Sequence, residues 1–516
     1  MNMLAPQIPE NAPFTPEQRA WLNGFLAGFL NVKDLSQLDA MAREIGLMAT
    51  LELPAGAERP MVEAPPEDSD APWHDPALGL DERMKLAEGR PLHRRMMAAM
   101  GQLDCGQCGY DCAAYANALA SGAESAINLC IPGGKPTQRM LKSLIEQATV
   151  EAAPAPTDIR SRLKTFAARF LGAKPLTAPG SDKDVRHVEI DLTGSGLTYE
   201  VGDSLGIVAP NWPALVDEVI AALGASPDAP SGTGKTLRDA LTRDVALGTA
   251  PDALFELLGV TPTPELETLD VLELLERFPD NKPDPAAFVA ALDPLHPRLY
   301  SIASSPRETP NKVHLTVSAV RYQKNGRARL GVASTFLADR LEPGSEIAVY
   351  VQKAHNFALP DDDSRAIIMV GPGTGIAPFR AFLQERKARS ILSGNKSGDS
   401  WLFFGDQHEA SDFLYKEDLK ALLDVGVLTR MNTAFSRDQA QKIYVQHRML
   451  EEGEALWRWL HDGAHFYVCG DASRMAADVD AALHTIVEKH GRMKKAEARD
   501  YIARMKQDGR YQRDVY

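Results

Sequence analysis

The sequence predicts a multidomain protein with three folded parts: a small α-helical domain around four cysteines, an antiparallel β-barrel domain with a helical insertion, and an α/β doubly wound domain. Three observations predict it. Four of the five cysteines crowd into residues 105–130, within helix-forming sequence. From about residue 160 the chain turns to β-rich runs separated by turn residues and broken by a long helical stretch. From residue 364 short apolar runs alternate with helical segments, the pattern of a parallel sheet wrapped by helices. A length of 516 residues leaves room for about three domains.

The elements follow in order. Residues 1–50 are expected to form an N-terminal helical segment. In TPEQRAWLNGFLAGFLN (15–31), Thr15 can cap a helix on which Trp21, Leu22, Phe25, Leu26, Phe29 and Leu30 share one face. That face suits either a domain cap or a docking helix for a partner. Residues 51–80, rich in Pro, Ala and acidic residues, read as an extended linker. Residues 81–148 hold the cysteines, and EAAPAPTD (151–158) marks the next boundary. The β domain spans 155–363, with strands expected at 185–192, 199–208, 312–320 and 346–352 and a helical insertion at about 213–292. The doubly wound domain covers 364–516, with strands at 365–370, 399–405, 427–435 and 464–470.

Composition narrows the function. Lys+Arg 56 against Asp+Glu 70 gives a net charge of −14, a poor match to nucleic acid. No run approaches the roughly 18–20 apolar residues that cross a bilayer. The first residues carry no basic stretch followed by an apolar core, so a cytoplasmic location is expected. Clustered cysteines in such a chain point to metal or cluster ligands rather than disulfides.

Cys105, Cys108, Cys112 and Cys130 are spaced C-x2-C-x3-C-x17-C, and Cys130 opens Cys130-Ile131-Pro132-Gly133-Gly134. Four thiolates suit a [4Fe–4S] cluster. A structural zinc site and unliganded buried cysteines are the alternatives, although zinc ribbons usually pair two C-x2-C knuckles. The pattern C-G-x-C-G…C…Y-A…G…C-x-P-G-G, with Tyr115-Ala116 and Gly122 in place, resembles the small [4Fe–4S] domain of electron-transfer and corrinoid proteins. Many of those domains have one more residue between the second and third cysteine.

Further along, Arg298-Leu299-Tyr300-Ser301 places a cation, an aromatic ring and a hydroxyl on one strand, a set that can serve a flavin. Gly331-Val332-Ala333-Ser334 opens a helical segment whose backbone N–H groups can take a pyrophosphate. Gly371-Pro372-Gly373-Thr374-Gly375 sits between a strand and a helix, where dinucleotides bind parallel sheets. Ser436, Arg437, Lys442 and Tyr444 put two cations and two hydroxyls together, favouring NADP over NAD. Ser231-Gly232-Thr233-Gly234-Lys235-Thr236 imitates a phosphate loop but has Ala229 where the first glycine belongs. His355 and His408 lie near site loops without zinc-binding spacing. The aromatic, charged tail Arg510–Tyr516 would by itself be expected to fray.

Read together, RLYSIASS, VGPGTGIAPFRAF, WLFFG…DFLY, YVCGD and RYQRDVY resemble the ferredoxin–NADP reductase family over residues 160–516. The likeness is closest to the reductase half of diflavin enzymes, in particular the flavoprotein (alpha) subunits of assimilatory NADPH–sulfite reductases. That resemblance implies that Arg298, Leu299, Tyr300, Ser301, Thr316, Val317, Ser318, Tyr322, Gly331, Val332, Ala333 and Ser334 hold FAD. It implies that Gly373, Thr374, Ser436, Arg437, Lys442, Ile443, Tyr444, Val445, Gln446 and Asp478 hold NADPH. Ser301, Cys469 and Asp514 would flank the hydride path, and Tyr516 would stack on the isoalloxazine, so the tail would be ordered. Diflavin reductases begin with an FMN-binding flavodoxin domain. Here the four-cysteine motif stands in its place, so FMN is not expected. The expected partner is a sirohaem and [4Fe–4S] hemoprotein subunit of sulfite reductase. Another acceptor, such as a nitrite or nitrate reductase or a ferredoxin, or a redox-sensing four-cysteine module, is the alternative.

Overall fold

A computed structural model describes residues 71–75, 78–148, 164–354, 356–472 and 474–516, all within one unit, Ala71–Tyr516. The helix expected at 15–31, most of the 51–80 stretch and His355 lie outside the described residues. Four helices surround the cysteines: α1 (Leu80–Leu86), α2 (Leu92–Ala99), α3 (Cys112–Ala120) and α4 (Gly134–Ala148). Their core is Met96, Met100, Tyr115, Leu119, Leu141 and Leu144 together with Cys108 and Cys130. Residues 71–75, expected to be linker, instead pack here. Trp73 is 0% exposed, with the Arg90 and Arg94 guanidiniums over its ring. One buried indole is enough to anchor an otherwise extended, Pro-rich segment.

Six antiparallel strands follow in the order β4-β3-β8-β1-β2-β5. They are β1 (Phe166–Pro175), β2 (Val185–Asp191), β3 (Ser204–Val208), β4 (Arg298–Ser301), β5 (Lys312–Ser318) and β8 (Glu346–Gln352). Alternation puts Val188, Ile190, Leu205, Ile207, Leu315 and Val349 into one interior. Past β4, Ile302 bridges Leu315 of β5, the other edge of the sheet. β1 was not foreseen: its run FAARFLGAKP alternates poorly and is broken by a register shift between Phe170 and Gly172. A separate hairpin, β6 (Arg321–Lys324) and β7 (Arg327–Leu330), was also missed, being polar on both faces.

The helical insertion between β3 and β4 appears as expected, with α5 (Pro213–Leu223), α6 (Leu237–Arg243), α7 (Asp252–Leu257), α8 (Val271–Arg277) and α9 (Pro285–Ala290). These share a core of their own that includes Val216, Leu237, Phe255, Leu274 and Phe288. The phosphate-loop mimic is a tight turn in which Lys235 pairs with Asp244 at 2.8 Å and Thr236 caps α6. The cysteine domain docks on this lobe. Arg139 of α4 reaches Asp252 at 2.8 Å and Glu267 at 2.6 Å, and Asn128 donates to Asp293 at 2.8 Å.

The last domain is a parallel sheet in the order β11-β10-β9-β12-β13. Its strands are β9 (Ile367–Val370), β10 (Ser400–Asp406), β11 (Arg430–Phe435), β12 (His465–Gly470) and β13 (Tyr511–Val515). β9, β10 and β12 are almost wholly buried, which fits their near-continuous apolar runs. The strand order reverses at β9, so its carboxyl end forms the crevice where a dinucleotide is expected. The tail is ordered: β13 pairs with β12 from Phe466–Tyr511 to Gly470–Val515. Among the described residues no helix is long and apolar enough to cross a membrane.

Candidate functional site

All four clustered cysteines line one small cavity, together with Met100, Tyr110, Tyr115 and Pro132. Local geometry explains the motif. Gly106 and Gly109 adopt φ +68° and +82°, the left-handed turns a β-carbon resists. Asp111 caps α3 by accepting from Ala114 N at 2.6 Å, which fixes Cys112 as the first residue of that helix. Asp104 Oδ1 accepts from Cys112 N at 2.8 Å. Gly101 N donates to Cys130 Sγ at 3.3 Å. A β-carbon on Gly133 would lie 2.1 Å from Thr137 Oγ1 and 3.1 Å from Cys130 Sγ, which accounts for Pro-Gly-Gly. Burial pushes the Cys105 thiol up to about 11 and Cys108 up to about 12, and raises Cys112 and Cys130 for the same reason. Left alone these groups are neutral thiols; only a bound metal would make them thiolates. Among the described residues no three His, Cys, Asp or Glu side chains converge tightly enough to hold a single metal ion.

The main cleft, about 1010 Å³, opens between this domain, the antiparallel sheet and the C-terminal strand. Arg298, Leu299, Tyr300 and Ser301 of β4 line it, with Thr316 and Ser318 of β5 opposite. So do Gly331, Val332, Ala333 and Ser334, the last three within the short helix α10 (Val332–Thr335). Two glycines keep backbone close: a β-carbon would meet Phe357 O at 1.9 Å on Gly202 and Ser334 Oγ at 2.5 Å on Gly331. Cys105, Asp104 and Gln107 line the same cleft. Gly106 packs so closely on Gln352, the last residue of β8, that a β-carbon there would lie 2.5 Å from its amide.

Three strands bring together Ser301, Cys469 and Asp514, the residues expected to flank a hydride path. Ser301 Oγ donates to Asp514 Oδ2, and Cys469 Sγ, at the end of β12, donates to the same oxygen at 3.7 Å. Burial raises the Asp514 carboxyl above the ordinary range. Burial likewise raises Cys469. Tyr516 closes the cleft, 57% exposed, its hydroxyl 2.8 Å from Thr374 Oγ1. Gly373 takes φ +58°, and helix α11 (Ala377–Ser393) starts just beyond. A β-carbon on Gly375 would lie 2.1 Å from Cys469 O, so the loop is clamped against β12.

Beyond β11, Ser436 N and Arg437 N donate to Asp406 O and Gln407 O, both at 2.9 Å, at the carboxyl edge of the sheet. Arg437 pairs with Asp182 at 2.5 Å. Gln446 donates to Asp478 at 3.0 Å, joining two expected nucleotide contacts. Lys442 and Tyr444 are exposed beside them. Val317 and Val445 are interior, 0% and 2% exposed, so only their backbones could meet a cofactor. Tyr322 stands exposed on the β6–β7 hairpin, outside the lining of the main cleft. His408 pairs with Asp438 at 2.8 Å.

Sequence reasoning missed His74. It lines the cleft and bonds Asp104 at 2.9 Å and Gln102 at 3.1 Å. The Trp73-His74 pair amid prolines was the available signal.

Comparisons with known proteins agree with this layout. Residues 369–481 match the family "Oxidoreductase NAD-binding domain". Residues 159–235 and 263–336 match "FAD binding domain", and residues 101–132 match "Putative Fe-S cluster". The chain is similar to the sulfite reductase (NADPH) flavoprotein alpha-component of Photorhabdus laumondii, 44% identical over 384 residues, 69% of this chain and 63% of the relative. It is similar to that of Bacillus subtilis, 43% identical over 416 residues, 75% of this chain and 68% of the relative. A Shewanella relative of the same name is 45% identical over 372 residues, 68% of this chain and 61% of its own length. The chain thus spans roughly 61–68% of the length of these curated relatives. At such identity and coverage the chain belongs to the family of sulfite reductase flavoprotein alpha-components.

Proposed function

We propose that this chain is an NADPH-dependent flavo-iron–sulfur reductase: electrons flow from NADPH to FAD to a [4Fe–4S] cluster and out to a partner hemoprotein. The favoured partner is the sirohaem and [4Fe–4S] subunit of an assimilatory sulfite reductase, which reduces sulfite to sulfide for cysteine biosynthesis. The observation that carries the reading is that one cleft is lined both by Cys105 and by the flavin-site residues Arg298, Tyr300 and Ser301. FAD, when bound, supplies the exchange between a hydride pair and single electrons.

The chain's own residues do the rest. Arg298, Tyr300 and Ser334 orient the flavin and its phosphates, within a sheet read as a barrel closed at Ile302–Leu315. Ser301, Cys469 and the buried Asp514 hold a proton-bearing network where the nicotinamide and flavin rings meet. Tyr516 shields that place and must move aside for nicotinamide. Arg437 and Ser436 receive the 2′-phosphate, Arg437 exchanging Asp182 for it. Thiols that ring a cavity rather than a point suit a cluster, each iron taking one thiolate, better than zinc at about 2.3 Å from every sulfur. The described elements of residues 71–148 are the four helices packed around the cysteines, which supports a cluster in this domain.

The test is anaerobic purification with flavin, iron and sulfide analysis, then NADPH-driven sulfite reduction with the hemoprotein added. FAD without FMN, with iron and acid-labile sulfide near equal, is expected. A protein with FMN or zinc would overturn the reading; reduction of ferredoxin alone would overturn the choice of partner.

A further inference from the structure

We propose that Arg83 is the built-in counter-charge of the four-cysteine centre and sets how readily that centre accepts an electron. The inference rests on the cluster reading above. Three arginines are buried among the described residues: Arg83, Arg380 and Arg386. Two of them are saturated with acceptors. Arg380 binds the Asp418 carboxylate at 2.8 Å and Ala303 O at 2.7 Å. Arg386 donates to Arg365 O at 2.7 Å and Asp363 O at 3.0 Å.

Arg83 differs. It is 7% exposed, and its buried Nε has no hydrogen-bond partner. Arg386 lacks an anion too, but backbone carbonyls take its place; a buried guanidinium with an N–H that meets neither an anion nor a carbonyl is costly. Burial lowers its pKa, and among the described residues Cys130 and Cys112 are the groups that bear favourably on its charge. Its helix, α1, presses Leu80 and Met84 against the core that holds Cys108 and Cys130. As thiols those cysteines are neutral and offer no compensation. As thiolates around an iron–sulfur centre they form a net anion that offsets the charge of a guanidinium whose Nε has no partner of its own.

The consequence is directional. Taking up one electron adds one negative charge to that anion, and a fixed cation beside it favours the reduced form. Arg83 touches no reacting atom of the hydride step, so it is a positioning residue for charge. The site is local to α1 and the Cys112–Cys130 side of the cavity, and leaves the flavin residues untouched.

The experiment is an electron paramagnetic resonance titration of the intact, anaerobically loaded chain, wild type against Arg83→Met and Arg83→Lys. At a fixed solution potential the reduced-to-oxidised ratio of the Arg83→Met cluster is expected to fall at least ten-fold, about 59 mV for a one-electron couple. Arg83→Lys should recover most of it, and flavin reduction by NADPH should be unchanged in both. If Arg83→Met fails to load iron while Arg83→Lys loads fully, the charge role stands. Equal loss in both, or full loading with unshifted titrations, overturns it. A wild-type chain without iron and sulfide overturns the cluster reading itself, a different failure.

Discussion

Between Cys105 and Cys130 a few turns, one helix cap and three glycines with positive φ gather four thiols around one cavity. Ser301 and Asp514, by contrast, lie 213 residues apart and meet only because β4 and β13 approach across two domains. The first centre is a property of a short stretch of chain; the second is a property of the assembled fold. Damage should therefore separate cleanly. A lesion in the cysteine domain should leave hydride entry intact, and a lesion in the strands should leave the metal centre loaded.

The largest effect should come from Cys105→Ser, Cys112→Ser or Cys130→Ser. Each is expected to lose cluster iron and sulfide and to abolish electron delivery to a hemoprotein, while NADPH still bleaches the flavin. Metal analysis and stopped-flow absorbance read both halves. Retained iron in all three variants would erase the contrast. Conversely, Asp514→Asn or Cys469→Ala should slow flavin reduction about 10²-fold through misplaced hydride geometry, with iron content unchanged.

A third probe lies at the seam of the antiparallel and parallel domains. His187 and His314 pack edge-on with centroids 4.7 Å apart, and His187 Nδ1 lies 2.9 Å from the Tyr415 hydroxyl. Burial and the positive neighbours His314 and Arg380 lower His187 to about 4, and burial and Arg380 lower His314 to about 4. Both folded values lie below the unfolded 6.5, so the unfolded chain binds protons first as pH drops. Stability is full above about 6.5 and is lost as pH falls toward 4, on the order of 3 kcal/mol per ring at most. Thermal melts across that window check it, and a flat profile would contradict it. The smallest effect is expected from Arg437→Ala. Losing a charge-assisted contact of about 1.5–3 kcal/mol should cut the preference for NADPH over NADH about ten- to hundred-fold. Paired steady-state kinetics with the two nucleotides read this ratio.

The same contrast governs what the sequence revealed. The cysteine motif was legible because its cysteines, glycines and cap are neighbours in the chain. The doubly wound domain was legible from buried apolar runs such as IIMV and SWLFFGD. The Ser301–Cys469–Asp514 meeting was not legible from the residues alone; only likeness to known reductases suggested it. β1 escaped because Gly172 breaks its alternation. For Val317 and Val445 the motif records positions and not the direction of a side chain, and both side chains are interior. The packing of Trp73 and the isolation of Arg83 depend on long-range contacts that no local pattern records.

The central claim, that the two centres communicate inside one chain, is tested most directly by freeze-quench kinetics. Anaerobic NADPH is mixed with the loaded protein at several protein concentrations, and the reduced cluster is followed by electron paramagnetic resonance as the flavin bleaches. The account predicts a cluster signal that rises after flavin reduction with a rate independent of protein concentration. A rate that scales with concentration, or a bleached flavin beside an unreduced cluster, would contradict it.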